Sequence, residues 1–201
     1  LMTKFFKNLY RLLLIRTPFF ILLNFIANFL PNYKSKNKSS KIENQIYSDF
    51  KSFDFKEKWF CNNLYYLNNY FKYSNDISNI LEIGSYEGRS AIFFLQMFKN
   101  SKITCVDTWS GSDEHLKQNF NIIETNFDSN TRLYQNDNRL KKIKNNSNVF
   151  FSNNLQSFDL IFIDGDHSSE QVKKDINNSW KILNNGGYLI LDDYLWWYYK
   201  D

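Results

Sequence analysis

The sequence predicts an α/β domain built on a doubly wound, mostly parallel sheet, preceded by a basic, apolar N-terminal extension. Three observations predict it. Apolar runs of strand length (Ile80-Leu81-Glu82-Ile83, Ile103-Thr104-Cys105-Val106, Leu160-Ile161-Phe162-Ile163, Leu189-Ile190-Leu191) alternate with helix-length segments. The first run turns through Gly84 and Gly88 into the apolar segment Ala91-Ile92-Phe93-Phe94-Leu95. Acidic residues follow the runs at Asp107, Asp164 and Asp192-Asp193, and a parallel sheet binds ligands at the carboxyl ends of its strands.

The chain has 201 residues, enough for one such domain with extensions. Hydrophobic residues make up 43% and aromatics 19%, so a packed core is expected. The net charge of +4 is unevenly placed: residues 1–41 carry eight Lys or Arg and no acid, and the remainder sums to −4. A mildly acidic domain argues against a nucleic-acid groove. Cys61 and Cys105 form no pattern, and a reduced, cytoplasmic protein is expected.

Residues 1–31 interleave Lys and Arg with Phe and Leu. Arg16, Pro18, Asn24 and Asn28 break the apolar runs, which fall short of the roughly 20 residues that cross a bilayer. No small-residue cleavage site follows. The pattern suits a helix on an anionic membrane surface, at the inner face, and equally one docked on the domain or on a second subunit. Residues 32–41 are polar and basic and read as a linker. Residues 42–77 read as cover helices: Asp54 to Glu57 looks like a capping box, and Phe60, Leu64, Leu67 and Phe71 predict an amphipathic helix over 55–73.

The core is expected over 78–201. Strand 1 covers Ile80–Ile83, and its helix runs to about Phe98. A helix beginning at a glycine turn leaves backbone N–H groups unpaired at its positive end, which suits a polar or anionic ligand. Strand 2 is Lys102–Val106; Asp107 at its end can accept hydrogen bonds from both hydroxyls of a ribose. The polar loop Trp109 to His115 can cover a ligand, with His115 read as solvated. Residues 118–138 have a weak helical pattern. Strand 3 fits Leu140–Lys144 or Val149–Phe151, and both stay open. Strand 4 is Phe158–Ile163, followed by Asp164-Gly165-Asp166-His167. A helix over Ser168–Asn184 ends at Asn185-Gly186-Gly187, and strand 5 is Tyr188–Leu191. Strands 4 and 5 of such a sheet lie close, so Asp164, Asp192 and Asp193 converge. Three carboxylates in a small volume repel one another unless a cation neutralises them, and oxygen-only donors favour Mg2+ or Mn2+. His167 is near enough to face the same site, whereas Asp166 reads as a helix cap.

The spacing G-x-x-x-G without a following Lys excludes a P-loop and departs from the dinucleotide pattern. Read together, LEIGSYEGRS, ITCVDTW, FDLIFIDGDH and NNGGYLILDDY resemble class I S-adenosylmethionine-dependent methyltransferases. Within that class they are similar to the small-molecule O-methyltransferase group that contains macrocin-type and cephalosporin-hydroxylase-type proteins. The resemblance covers about 78–194. It implies a Rossmann-like fold, S-adenosylmethionine held by Glu82, Gly84, Ser85, Gly88, Asp107 and Asp164, and Ser147 at the adenine. It also implies Mg2+ (or Mn2+) held by Asp164, Asp192 and Asp193, with His167 as base and a hydroxyl of a small molecule or glycan as acceptor. The chain departs from the family at Tyr86, where a glycine is usual, and at Asp192-Asp193, where macrocin-type enzymes carry Glu-Asp. The family also continues with a helix and two antiparallel strands beyond strand 5. The chain, which opens on Leu1-Met2, is therefore expected to be a fragment lacking the last strands, with an uncovered edge able to associate as a homo-oligomer. Two rivals stand beside this: Asp164-Gly165-Asp166 as the Asp-x-Asp of a nucleotide-sugar glycosyltransferase, and a non-catalytic domain that binds a partner or membrane.

Overall fold

The computed structural model describes residues 38, 40–45, 53–57, 60, 63–72, 74, 77–111 and 119–192. The segment 1–31, Cys61, His115 and Asp193 lie outside the described residues, as does most of 32–41. Residues 40–45 are helical, so Ser40 and Lys41 belong to a helix and not to a linker.

The elements run α1 (Leu64–Phe71), β1 (Asn79–Ile83), α2 (Arg89–Met97), β2 (Lys102–Asp107), α3 (Phe120–Asn136) and β3 (Leu140–Lys144). They continue with α4 (Ser147–Asn153), β4 (Phe158–Ile163), α5 (Ser169–Ile182) and β5 (Leu183–Leu191). The sheet order is β3-β2-β1-β4-β5, and every pairing is parallel. Strand alternation explains the two layers. Ile80, Ile103, Cys105, Leu160 and Phe162 face one apolar cluster, completed by Leu64, Phe71, Phe93, Phe94 and Phe127 from α1, α2 and α3. Leu81, Ile83, Val106, Ile161 and Ile163 face the other, with Phe150, Ile176 and Ile182 from α4 and α5. Helices therefore cover both faces, and the expected doubly wound sheet is observed.

Three local expectations are corrected, those for the helix over 55–73, the cap at Asp54 and the glycines after α5, and the open choice for strand 3 is settled. Of the described residues within 55–73, those in an α-helix are Leu64–Phe71. Residues 53–57 are non-helical because tertiary partners take their backbone: the Asp54 amide donates to Asn130 Oδ1 (2.8 Å) and the Lys56 amide to Glu87 Oε2 (2.7 Å). Asp54 is therefore no cap; its carboxylate pairs with Lys56 at 2.6 Å. Strand 3 is Leu140–Lys144, and Val149–Phe151 lie in α4. The glycines after α5 form an irregularity within β5 and do not precede it. Leu183 already pairs with Phe158, Tyr188 pairs with Leu160, and residues 184–187 bulge between them.

Candidate active site at the carboxyl ends of the strands

Four strand ends are joined laterally at one level. The Gly84 amide donates to Val106 O (2.9 Å), the Asp164 amide to Ile83 O (2.8 Å) and the Asp192 amide to Ile163 O (3.0 Å). Glu82, Asp107, Asp164 and Asp192 thereby come together at one edge, as four apolar runs each ending near an acid predicted.

Gly84 has φ +86°, and a Cβ there would lie 2.0 Å from the backbone oxygen of Asp164. Its lack of a side chain lets the end of β1 meet the end of β4, main chain against main chain. Tyr86, at the position where the family carries glycine, is itself left-handed, with φ 46°. Such a conformation costs about 1–3 kcal/mol in a residue other than glycine and persists where its surroundings fix it. Here Asp107 fixes it. Its Oδ2 accepts the amides of Ser85 and Tyr86, both at 2.9 Å, and its Oδ1 accepts the amide of Trp109 at 2.7 Å. Trp109, also left-handed at φ 46°, returns its indole N–H to Tyr86 O at 2.8 Å. Asp107 is thus the centre of the turn. With a carboxylate's roughly four acceptor positions, this arrangement leaves little room for a ribose diol to engage both oxygens.

Beneath the turn, Glu82 is fully buried, and burial pushes its carboxyl up to about 7. Its Oε2 accepts the Cys105 thiol at 3.4 Å, while Oε1 and the buried Ser85 hydroxyl have no well-formed partner. The hydroxyls of Ser85 and Ser90 lie close enough to this carboxyl to offset part of the burial.

Gly84, Ser85, Asp107, Ser147, Asp164, His167 and Asp192 all line one cavity of about 820 Å3, whereas Gly88 caps α2 and does not line it. Among the described residues, Glu57, Glu87, Asp166 and Asp175 line it too, against one guanidinium, that of Arg89, which Glu43 holds at 2.6 Å. The cavity is therefore strongly acidic and suits a cationic ligand. Asp166 is not the cap expected: the N-cap of α5 is Ser168, and Asp166 Oδ1 accepts the amide of that residue at 2.8 Å in the turn that leads into the helix. Among the described residues, no group of three His, Cys, Asp or Glu side chains converges as a metal site. Asp164 and Asp192 nonetheless stand at the ends of adjacent strands, and Mg2+ is commonly held by one or two carboxylates with water completing its shell.

Sequence reasoning missed three contributors. Gln171 donates to Ser147 Oγ and to Asp175 Oδ1, both at 3.0 Å, setting a polar floor under Ser147. Burial raises the Asp175 carboxyl. The spacing of Gln171 and Asp175 by four on a helix following the acidic loop was the available signal. Asn63, which donates to Asp192, gave no signal at all.

The comparisons agree with this geometry. The chain is 33% identical to the uncharacterized protein R132 of Acanthamoeba polyphaga mimivirus over 129 residues, 61% of this chain; it spans about half (54%) of that relative's length. Its fold resembles a Staphylococcus aureus protein assigned as a caffeoyl-CoA O-methyltransferase (TM-score 0.54, 21% identity, 83% of this chain and 73% of the other). It also resembles a Klebsiella pneumoniae protein assigned as an O-methyltransferase (TM-score 0.50, 17% identity, 78% and 64%). The model of a methyltransferase domain matches residues 81–194, from β1 through the acidic ends of β4 and β5, and the chain belongs to that methyltransferase family.

Proposed function

We propose that the chain transfers a methyl group from S-adenosylmethionine to a hydroxyl of a small molecule or glycan, assisted by a divalent cation. The observation that carries the reading is the acidic cavity between the Gly84 turn and the ends of β4 and β5, inside a methyltransferase domain. S-adenosylmethionine would supply a methyl group on a sulfonium for in-line displacement. The Ser85 hydroxyl, which lines the cavity, is available to its ammonium, with Glu82 buried beneath it behind the wall, and Ser147, held by Gln171, faces the same cavity. Asp107 would act chiefly by fixing the turn. Mg2+ or Mn2+, bound by Asp164 and Asp192 with Asp193 as a further ligand, would supply Lewis-acid polarisation of the acceptor hydroxyl. His167 lines the cavity, and an imidazole nitrogen can accept a proton, so it would remove the hydroxyl proton as the C–O bond forms and the bond from the methyl group to sulfur breaks, leaving S-adenosylhomocysteine.

The nucleotide-sugar alternative is not favoured: Asp166 is occupied in helix entry, and a glycosyltransferase needs no Glu-x-Gly turn after β1. Titration with S-adenosylhomocysteine tests the reading. Binding is expected, and Asp107→Ala, which takes the shared acceptor from the amides of Ser85, Tyr86 and Trp109 and so loosens the turn, should weaken it by about 1–3 kcal/mol, the scale of leaving such groups unpaired. A chain that binds a nucleotide sugar and not S-adenosylhomocysteine would reject it. Once an acceptor is in hand, His167→Ala should lower kcat about 10²–10⁴-fold at unchanged cofactor affinity. Turnover undiminished in excess chelator would remove the cation from the mechanism.

A further inference from the structure

We propose that Asn63 is a positioning residue for Asp192, holding that carboxylate in the orientation a divalent cation requires; this rests on the cation reading above. Asn63 precedes α1 at the N-cap, where an asparagine side chain ordinarily turns back to accept an amide of its own helix. It makes no such bond. Its Nδ2 instead reaches both oxygens of Asp192, at 3.0 and 2.8 Å, from 129 residues away in the chain. Both side chains line the cavity that also holds Asp164 and His167.

The chemistry of the donor distinguishes positioning from simple pairing. A Lys or Arg here would hold Asp192 more strongly, but it would also neutralise the charge that attracts a cation. A neutral amide orients the carboxylate and adds no positive charge of its own. A carboxylate offers about four acceptor positions, so one amide across its two oxygens fixes its plane without exhausting it. Groups that hydrogen-bond a ligating carboxylate tune metal affinity in this way. The contact also makes the segment ahead of α1 part of the site, although no motif of the core includes it.

The test is Mn2+ binding to the full chain, followed by the electron paramagnetic resonance of free Mn2+, with S-adenosylhomocysteine affinity as the control for an intact fold. Asp192→Asn should lose most Mn2+ affinity. Asn63→Leu and Asn63→Ala should lose about 10–100-fold, the range for such supporting residues, with cofactor affinity unchanged. Asn63→Gln, which keeps the amide on a longer stem, should bind Mn2+ more tightly than Asn63→Leu, which keeps only the bulk. If Asp192→Asn is impaired while Asn63→Leu and Asn63→Ala match the parent, Asn63 is a structural staple and the proposal is overturned. Asn63→Leu equal to or better than Asn63→Gln overturns it as well. If Asp192→Asn itself binds Mn2+ like the parent, the cation reading falls first, and the role of Asn63 with it.

Discussion

Glu82 faces Cys105 across the β1–β2 pairing, on the aromatic side of the sheet, and burial raises its carboxyl from 4.5 to about 7. Between those values the folded chain keeps a proton that the unfolded chain has released. Stability contributed by this group is therefore complete below about 4.5, declines as pH rises to about 7, and is gone above it. At about 1.4 kcal/mol per unit the loss is on the order of 3 kcal/mol. Glu82→Gln should flatten the pH dependence of the urea midpoint between pH 5 and 8. An unchanged slope would show that Glu82 is not its source. At this scale the sequence was legible where a motif fixes both residue type and spacing, as at Glu82, Gly84 and Asp164. It was illegible where a role depends on a partner distant in the chain. Nothing local marks Asn63, and nothing at Asp107 announces that three backbone amides will claim its oxygens.

Elements were read best where both neighbours are strands. β1, β2 and β4 fell where apolar runs put them, because a strand buried on both faces is largely apolar, with Glu82 and Thr104 the buried exceptions. The segment before α1 misled because Phe60 and Leu64 repeat at helical spacing, yet residues 53–57 are drawn into tertiary bonds. Phe55 lies under the Arg89 guanidinium, 4.2 Å from ring centre to Cζ. Asn130 of α3 bridges the two sides: Oδ1 accepts the Asp54 amide at 2.8 Å, and Nδ2 donates to Glu87 O at 3.0 Å. Asn130→Ala would leave buried polar groups unpaired and should cost about 1–3 kcal/mol by urea melting. Limited proteolysis should then cut within 53–57 sooner than in the parent. Equal cutting rates would mean that the segment is held by other contacts.

Across the whole molecule, charge is separated along the chain. The eight positive charges of residues 1–41 precede a domain whose cavity is acidic and whose net charge is −4. Among the described residues, no helix is long and apolar enough to cross a membrane. Because its basic residues are interleaved with Phe and Leu, the N-terminal segment is proposed to bring the domain to an anionic surface. Vesicles containing anionic lipid should sediment the full chain at low salt and release it as salt rises, since exposed charges beyond about 10 Å are screened at 0.1 M. Deletion of residues 1–41 should abolish co-sedimentation; binding that survives it would assign the segment to protein packing. The β3 edge of the sheet carries Lys141, Lys142 and Lys144, a charged border that discourages strand addition.

The contact between Gly84 and the backbone of Asp164 bears on how such a domain can be redesigned. The spacing between the glycine turn and the acidic edge is set by main-chain atoms, with room for a hydrogen and nothing larger. Side-chain drift cannot stretch or shorten that ruler, so a lineage seeking new acceptors must leave it alone and vary the walls. Those walls are the segment around Glu57 and the start of α3 at Phe120 and Ile123, both outside the turn and outside the proposed cation site. Grafts confined to them should alter which molecule is modified while the donor stays where it is.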